Sequence, residues 1–585
     1  MRQGAPARGG EERSRAAAVP GLAAMRSYRR EWLRQDLVAG LVLTALLVPQ
    51  GMAYAELAGL PAITGLYTSI LCLFGYALFG PSRILVLGPD SSLGPMIAAT
   101  IAPLLVAGGD PARAVALASM LALMVGAVMI LAGVAKLGFV ADLLSKPTQI
   151  GYMNGLALTI LVGQLPKLFG FSVDADGLID EAAGFVGGVV DGETVSAALA
   201  IGLVSLLIIF GLQRRLPKVP AVLIAVVLAI AAVEVFNLVE RGVSVVGSLP
   251  GGFPPLTVPD ISWSDLPLLL GGALGIALVA LTDTISTASA FAARQGHHVH
   301  GDQEMIGIGV SNVAAGLFQG FPVSTSGSRT AVAEQAGAKS QVTGIVGALA
   351  ILLLLVVAPG LLRNLPQPTL AAVVIVASAS LADIPATIRL WKQRRTEFLL
   401  AIVAFLGVAL LGVLPGILVA VALSILNVFR RAWWPYQTRL GRVAGMPGFH
   451  DVRQYPNGEQ LPGLVLYRFD APLIFANCRT FREEIVQLVN ATPGLRWIVV
   501  AAEPITDVDT TAADMLEDLD VWLNAREVSL VFTEIKDPVR AKIERYELTR
   551  TIDPRHFFPT IEAAVDAYRA EFGEVWGAPE GASGA

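Results

Sequence analysis

Charge is scarce in this chain. Its 42 Lys and Arg and 47 Asp and Glu make up 15% of 585 residues, against about 25% in soluble domains. Cysteine is scarcer still: Cys72 and Cys478 are the only two, one in an apolar stretch and one in the C-terminal region. A disulfide scaffold and a cysteine-based zinc cluster are thereby excluded. With a formal net charge of −5, nucleic acid is not an expected partner. No nucleophile–base arrangement and no P-loop can be read, so the sequence gives an enzyme no support. What it has in abundance is apolar residues, 54% of the total, and a mean hydropathy of +0.64.

The charges are also unevenly spread. Residues 1–35 hold 11, the 399 residues of 36–434 hold 40, and the 151 residues of 435–585 hold 38. A middle about 10% charged and a tail about 25% charged imply a polytopic membrane region followed by a soluble one. Met1–Arg34 carries eight arginines and no apolar stretch before Asp36, unlike a secretory signal. From Leu37 onward, apolar segments near bilayer length recur, some interrupted by Gly or Pro. At roughly 28 residues per span and turn, the region 36–434 holds about fourteen. Basic residues cluster in the arginine-rich start, at Arg214-Arg215-Lys218, Lys392-Arg394-Arg395 and Arg430-Arg431, while the loop 174–193 is acidic. The positive-inside rule then places the N-terminus, these basic loops and the tail in the cytoplasm.

Two places break the helical pattern alike: Val86-Leu87-Gly88-Pro89-Asp90-Ser91-Ser92 and Phe321-Pro322-Val323-Ser324-Thr325-Ser326-Gly327-Ser328-Arg329. Each joins strand-compatible residues and a Pro to serines suited to starting a helix. Each also follows an apolar helix bearing one polar residue, Gln50 or Asp283. Matching interrupted segments point to inverted repeats around a mid-membrane site, here about 36–245 and 262–434. After Trp434, strands at 464–469, 497–500 and 529–533 alternate with helices, which implies an α/β domain with helices packed on one sheet. The expected division is a cytoplasmic segment 1–35, a transmembrane domain 36–434, a Gly/Pro-rich linker 435–461, a soluble domain 462–573 and a tail 574–585.

Two half-helices whose N-termini face each other direct positive dipole ends and unpaired N–H groups at one point, where an anion belongs. Arg329 adds a permanent charge and a forked donor set suited to an oxyanion. Asp283 either neutralises Arg329, as a buried pair holding two helices together, or coordinates Na⁺ with Thr287, or exchanges a proton. Asp90 is either a helix cap or a proton or cation group. Gln50 and Tyr54, one turn apart, share a face that lines the pathway. Glu56 and Glu334, near helix ends, read as interfacial. His297, His298 and His300 read as a solvated turn, because no Cys or carboxylate at ligand spacing completes a metal site.

Asp36-Leu-Val-Ala-Gly40, Pro49-Gln50-Gly-Met-Ala-Tyr54-Ala55, Pro61-Ala-Ile-Thr-Gly-Leu-Tyr67 and Gly80-Pro-Ser-Arg83, followed by Gly88-Pro89 and Ser328-Arg329, resemble the SulP anion-transporter signature. The tail resembles a STAS domain. The resemblance covers about 36–573 and implies fourteen segments as seven-plus-seven inverted repeats, in core and gate domains, with a cytoplasmic α/β STAS domain. It also implies homodimers in the cell (inner) membrane, among lipid, that move inorganic anions or small carboxylates.

On this resemblance the anion contacts are Gln50, Tyr54, Asp90, Ser91, Ser92, Gly327, Ser328 and Arg329. Animal members usually carry Glu in place of Asp283, whereas sodium-coupled bicarbonate members have the Asp and Thr of Asp283 and Thr287. Arg329 occupies space where a cation would sit, and Asp90 adds a titratable group, so proton coupling is expected over Na⁺. No cofactor and no metal are expected. Thr510, in Val508-Asp509-Thr510-Thr511-Ala512, stands where anti-sigma antagonists have a phosphorylated serine. Capping by Asp509 and Thr510 is the alternative, and the STAS domain could also dock a cytoplasmic partner. The expected function is secondary active sulfate transport with H⁺ by an elevator-like motion. Na⁺-coupled bicarbonate transport, H⁺-coupled C4-dicarboxylate transport, or an uncoupled channel or STAS-linked sensor are the alternatives.

Overall fold

The computed structural model describes residues 20–26, 28–105, 110–139, 144–173, 175, 177–216, 219–295, 299–574 and 576. His297, His298 and Lys218 lie outside these residues. The chain divides into two compact units, Met1–Ser424 and Ile425–Ala585.

Apolar stretches that leave water must satisfy their backbone internally, and helices do so within one segment. The first unit opens with the short α1 (Pro20–Arg26) and then runs through one succession of elements twice. The first pass is α2 (Leu33–Leu57), α3 (Ala62–Phe79), a two-residue strand β1 (Leu87–Gly88) leading to α4 (Gly94–Ile101), α5 (Pro111–Val134), α6 (Lys146–Phe169), the short α7 (Leu178–Val190), α8 (Ser196–Arg215) and α9 (Ala221–Val235). The second is α10 (Leu266–Gln295), α11 (Gly301–Leu317), β2 (Ser324–Thr325) leading to α12 (Gly327–Gln335), α13 (Val342–Val357), α14 (Gln367–Leu381), the short α15 (Ile384–Gln393), α16 (Arg395–Leu411) and α17 (Val413–Trp433).

Each strand with its short helix makes one segment. With α7 and α15 set aside, each half has seven. β1 and β2 pair antiparallel, Leu87 opposite Thr325 and Gly88 opposite Ser324, as inverted repeats require. Seven helical stretches among the described residues are long and apolar enough to cross a membrane alone. The others are short, like α4 and α12, or, like α6, carry polar residues such as Gln149, Asn154 and Gln164.

Two bundles form within this unit. Helices α2, α3, α5, α10, α11 and α13 pack around the two broken segments, and α6, α8, α9, α14 and α16 make the second bundle. They meet where α2 packs on α9 and α14. Close crossings rely on small residues, as helix packing in membranes does. A Cβ on Gly65 of α3 would run into the Gly51 carbonyl of α2, and one on Gly151 of α6 would run into the Ala401 carbonyl of α16. Asp36, fully buried on α2, accepts from Lys339 N (2.7 Å), Ser340 N (3.2 Å), Ser340 Oγ (2.7 Å) and Thr343 Oγ1 (3.0 Å). One carboxylate thus holds the turn that leads into α13 and ties the start of the first repeat to the second.

The second unit holds a six-stranded sheet in the order β4-β3-β5-β6-β7-β8. Its strands are β3 (Gln437–Arg442), β4 (Phe449–Asp451), β5 (Leu464–Phe469), β6 (Trp497–Ala501), β7 (Ser529–Thr533) and β8 (Phe557–Phe558). β5 to β8 are parallel, and β3 and β4 are added antiparallel. Alternating side chains serve two cores. Tyr467, Phe469, Ile498, Val500 and Leu530 face α18 (Cys478–Ala491), α19 (Thr510–Asn524) and α20 (Asp537–Arg545), while Leu464, Leu466, Trp497, Val499 and Val531 face α21 (Ile561–Phe572).

The sheet is covered on both faces. It corrects one expectation: residues 435–461 are not simply a linker, since they supply β3 and β4. The glycines that suggested a linker turn the hairpin: Gly445 and Gly448 have φ of +80° and +82°.

Candidate functional site

The site is built where the two broken segments meet. Antiparallel pairing of β1 and β2 is extended by Ser326 N, which donates to Val86 O at 3.2 Å. Side chains brace the ribbon from outside. Asn312 of α11 brackets Val323, with Oδ1 accepting from its N–H at 2.9 Å and Nδ2 donating to its carbonyl at 3.3 Å. Thr68 Oγ1 accepts from Phe321 N at 3.1 Å, and Gln341 Nε2 donates to the Ser82 and Leu85 carbonyls at 2.8 and 2.9 Å. Backbone without its own helix is tolerated at membrane depth only when held in this way.

Beyond the ribbon the chain turns into α4 and α12. Ser326 caps α12, its Oγ accepting from Arg329 N at 3.4 Å. Asp90 folds its own turn, with Oδ1 accepting from Ser92 N at 2.9 Å and from Ser92 Oγ at 2.7 Å. The helix proper then starts at Gly94, later than the serines alone suggest.

Arg329 is 1% exposed and reaches back across the ribbon. Its Nη1 donates to the Pro89 carbonyl, and Nη2 lies 3.7 Å from Asp90 Oδ2. Nε and Nη2 are buried and donate no hydrogen bond. The guanidinium passes over Gly88, where a Cβ would sit 3.4 Å from both Cζ and Nη2. Of the alternatives open for Asp283, the pair with Arg329 does not form, and Asp90 lies opposite the guanidinium instead. The ribbon register places Pro89-Asp90 against the start of α12, and Asp283 on α10 is held elsewhere. It accepts from Ser92 Oγ at 3.3 Å and, at the long limit of 3.5 Å, from Gln149 Nε2 of α6.

A cavity of about 630 Å³ lies against these groups. Gln50, Tyr54, Asp90, Ser91, Gly327, Ser328 and Arg329 line it, together with Asp283 and Thr287. It lies between the two bundles, since Gln149 and Met153 of α6, Phe210 and Gln213 of α8 and Val373, Val376 and Ser380 of α14 close its other wall. Phe210 and Gln213 carry it toward the end of α8, where Arg214 and Arg215 follow, and Ser380 toward the end of α14. Chemically the walls offer a buried guanidinium with two nitrogens that donate no hydrogen bond, two helix N-termini and a carboxylate, which together suit a small oxyanion and an exchangeable cation or proton.

Residues 33–404 match the sulfate permease family, and residues 455–564 match the STAS domain. A probable sulfate transporter of Mycobacterium tuberculosis is 42% identical over 552 residues, covering 94% of this chain and 98% of its own length. The chain belongs to the sulfate permease family. High affinity sulfate transporter 2 of Stylosanthes hamata is 30% identical, with 93% and 85% covered. Among solved structures, the murine Solute Carrier 26 family member A9 anion transporter in the inward-facing state superposes with a TM-score of 0.87 at 24% identity, covering 97% of this chain and 96% of that one. The transmembrane domain of a cyanobacterium bicarbonate transporter, BicA, gives 0.57 at 22% identity, covering 68% and 98%. These two likenesses establish the fold: a multi-pass helical membrane core followed by an α/β STAS domain.

In this family member the structure gathers all but two of the site residues read from sequence around one cavity. Ser92 is fully buried behind it, and its hydroxyl bridges the carboxylates of Asp90 and Asp283. Thr510 lies in the second unit as the exposed first residue of α19, while Asp509 alone caps that helix, its Oδ1 accepting from Ala512 N at 2.8 Å. Sequence reasoning missed Gln149, Asn312 and Gln341. Each is a side-chain amide on or beside a membrane helix, the kind of signal that picked out Gln50.

Proposed function

We propose that this chain is a secondary active transporter that moves sulfate together with H⁺, by displacement of the α2–α5 and α10–α13 bundle against the other. The observation that carries the reading is the buried Arg329 guanidinium, whose Nε and Nη2 donate no hydrogen bond at the junction of the half-helices, beside a carboxylate that faces the same cavity. Sulfate is favoured because the sequence relatives are named sulfate transporters. Asp283 is the proposed proton group: it faces the cavity and its two hydrogen-bond partners are neutral, so a proton is the simplest charge to accompany the anion. Ser92 would let Asp90 and Asp283 sense one another.

The cavity reaches the helix ends where basic residues gather, and this supports an inward-facing arrangement in the cell (inner) membrane with N-terminus and STAS domain cytoplasmic. A homodimer with no cofactor, and a STAS domain that packs the dimer or docks a cytoplasmic partner, belong to the same proposal. A second reading has its own observation: Asp283 and Thr287 line the cavity together, as a Na⁺ site for bicarbonate transport would need.

Sulfate-dependent thermal stabilisation of purified protein tests the site. Arg329→Ala is expected to weaken sulfate binding by about 30-fold or more, the loss of one buried charge-assisted donor. Arg329→Lys keeps the charge opposite Asp90 and serves as the folded control. Unchanged affinity in Arg329→Ala would remove Arg329 from the site.

A further inference from the structure

Helix α15 is ten residues long, about 15 Å, and too short to cross a bilayer. Its two faces are nevertheless both apolar. Ala386 and Leu390 are buried against Ile150 and Ala401. On the other side, at positions i, i+4 and i+7, Ile384, Ile388 and Trp391 are 55%, 50% and 53% exposed. Basic side chains flank that outer face. Arg395 lies over the Trp391 ring at 5.5 Å, and Arg394 pairs with Glu397 at 2.7 Å. Arg389 and Lys392 are exposed and pair with no acidic side chain among the described residues.

The helix is held firmly to the α6–α16 bundle. Asp383 caps it, Oδ1 accepting from Ala386 N at 2.9 Å, while Asp383 N donates to Asn154 Oδ1 at 2.8 Å. Asn154 Nδ2 donates in turn to Thr387 Oγ1 at 2.9 Å, and the Trp391 ring meets Phe398 edge-on at 4.9 Å. A face this well positioned is not a frayed end.

The repeat supplies an internal comparison. Helix α7 occupies the same place in the first pass and likewise exposes Ile179, Val186 and Val190. Its charges are the reverse, Asp180 and Glu181 within it and Asp191 and Glu193 just beyond, with no Lys or Arg. Inverted repeats place the two helices at opposite membrane surfaces. Both faces are apolar enough for a lipid interface, and only α15 carries the cations that an anionic leaflet attracts.

We propose that α15 lies in the membrane interface and binds anionic phospholipid headgroups through Arg389 and Lys392, with Ile384, Ile388 and Trp391 inserted among the acyl chains. The occupied helix fixes the α6–α16 bundle to the leaflet. This rests on the fold and on charge, and stands whatever anion the central cavity carries.

The test is lipid binding to the full-length protein in detergent, titrated with phosphatidylglycerol or phosphatidylcholine and read by native mass spectrometry. Two basic residues at a charged surface contribute about fivefold each, so Arg389→Gln/Lys392→Gln should lose about 25-fold in phosphatidylglycerol affinity and nothing in phosphatidylcholine affinity. Arg363→Gln, an exposed arginine before α14, should change neither. A double variant that keeps the wild-type preference for phosphatidylglycerol overturns the proposal. So does a double variant whose only change is a lower dimer fraction, which would assign the face to a second copy.

Discussion

At the scale of single residues, the two carboxylates and the arginine have separate tasks. Asp90 shapes its own turn and faces Arg329, while Asp283 meets only neutral donors, Ser92 and Gln149. Asp283→Asn should therefore leave anion exchange across the membrane intact and abolish uphill accumulation, which counterflow and gradient-driven uptake distinguish. A variant that still accumulates anion would move the coupling elsewhere. Gly88 lets the guanidinium lie against the strand. Gly88→Val should raise the KM for uptake about tenfold, the loss of one well-placed charged hydrogen bond, with the amount of folded protein unchanged. The partner of Arg329 was not legible in the sequence. Asp90 and Asp283 both lie far along the chain, and only the register of a two-residue ribbon decides between them.

At the scale of elements, the sequence revealed most of what its physical patterns encode. The paired breaks at 86–92 and 321–329 hold β1 and β2, and the strands read at 464–469, 497–500 and 529–533 match β5, β6 and β7 closely. Residues 435–461 differ from the linker expected because β4 is the short edge strand and β3 beside it alternates buried with exposed polar residues, so the apolar signal fades. The braces Asn312 and Gln341 were hidden for a related reason: a single amide states nothing about which backbone it will meet. Helix crossings offer a further prediction. Gly65→Leu must displace α2 from α3, because the Gly51 carbonyl occupies that space. The protein should lose its monodisperse peak on size exclusion, whereas Gly187→Ala on α7, with nothing within 4 Å of the added carbon, should elute as wild type.

For the whole molecule, the two units answer to different solvents and should respond to pH separately. In the STAS domain, Asp520 is buried within the sheet-facing side of α19, and burial raises its pKa to about 6, opposed by a hydrogen bond from Asn524 at 2.9 Å. Its folded value lies above the ordinary 3.8. The folded domain therefore holds the proton more tightly than the unfolded chain, and this contribution to stability is full below about pH 4 and lost as pH rises to about 6. Asp520→Asn should stabilise the domain by about 1–2 kcal/mol at pH 7 and flatten that pH dependence. Thermal melting of the full-length protein at pH 4.5 and 7 checks it, and an unchanged profile would remove Asp520 as the cause.

The membrane unit carries the central claim, that anion movement is coupled to protons across one cavity between two bundles. The direct measurement is uptake of labelled sulfate into proteoliposomes with an imposed inward proton gradient, an imposed Na⁺ gradient, or neither. Accumulation above equilibrium with protons alone is the predicted result. Accumulation driven only by Na⁺, or equilibration that no gradient can push further, would contradict it.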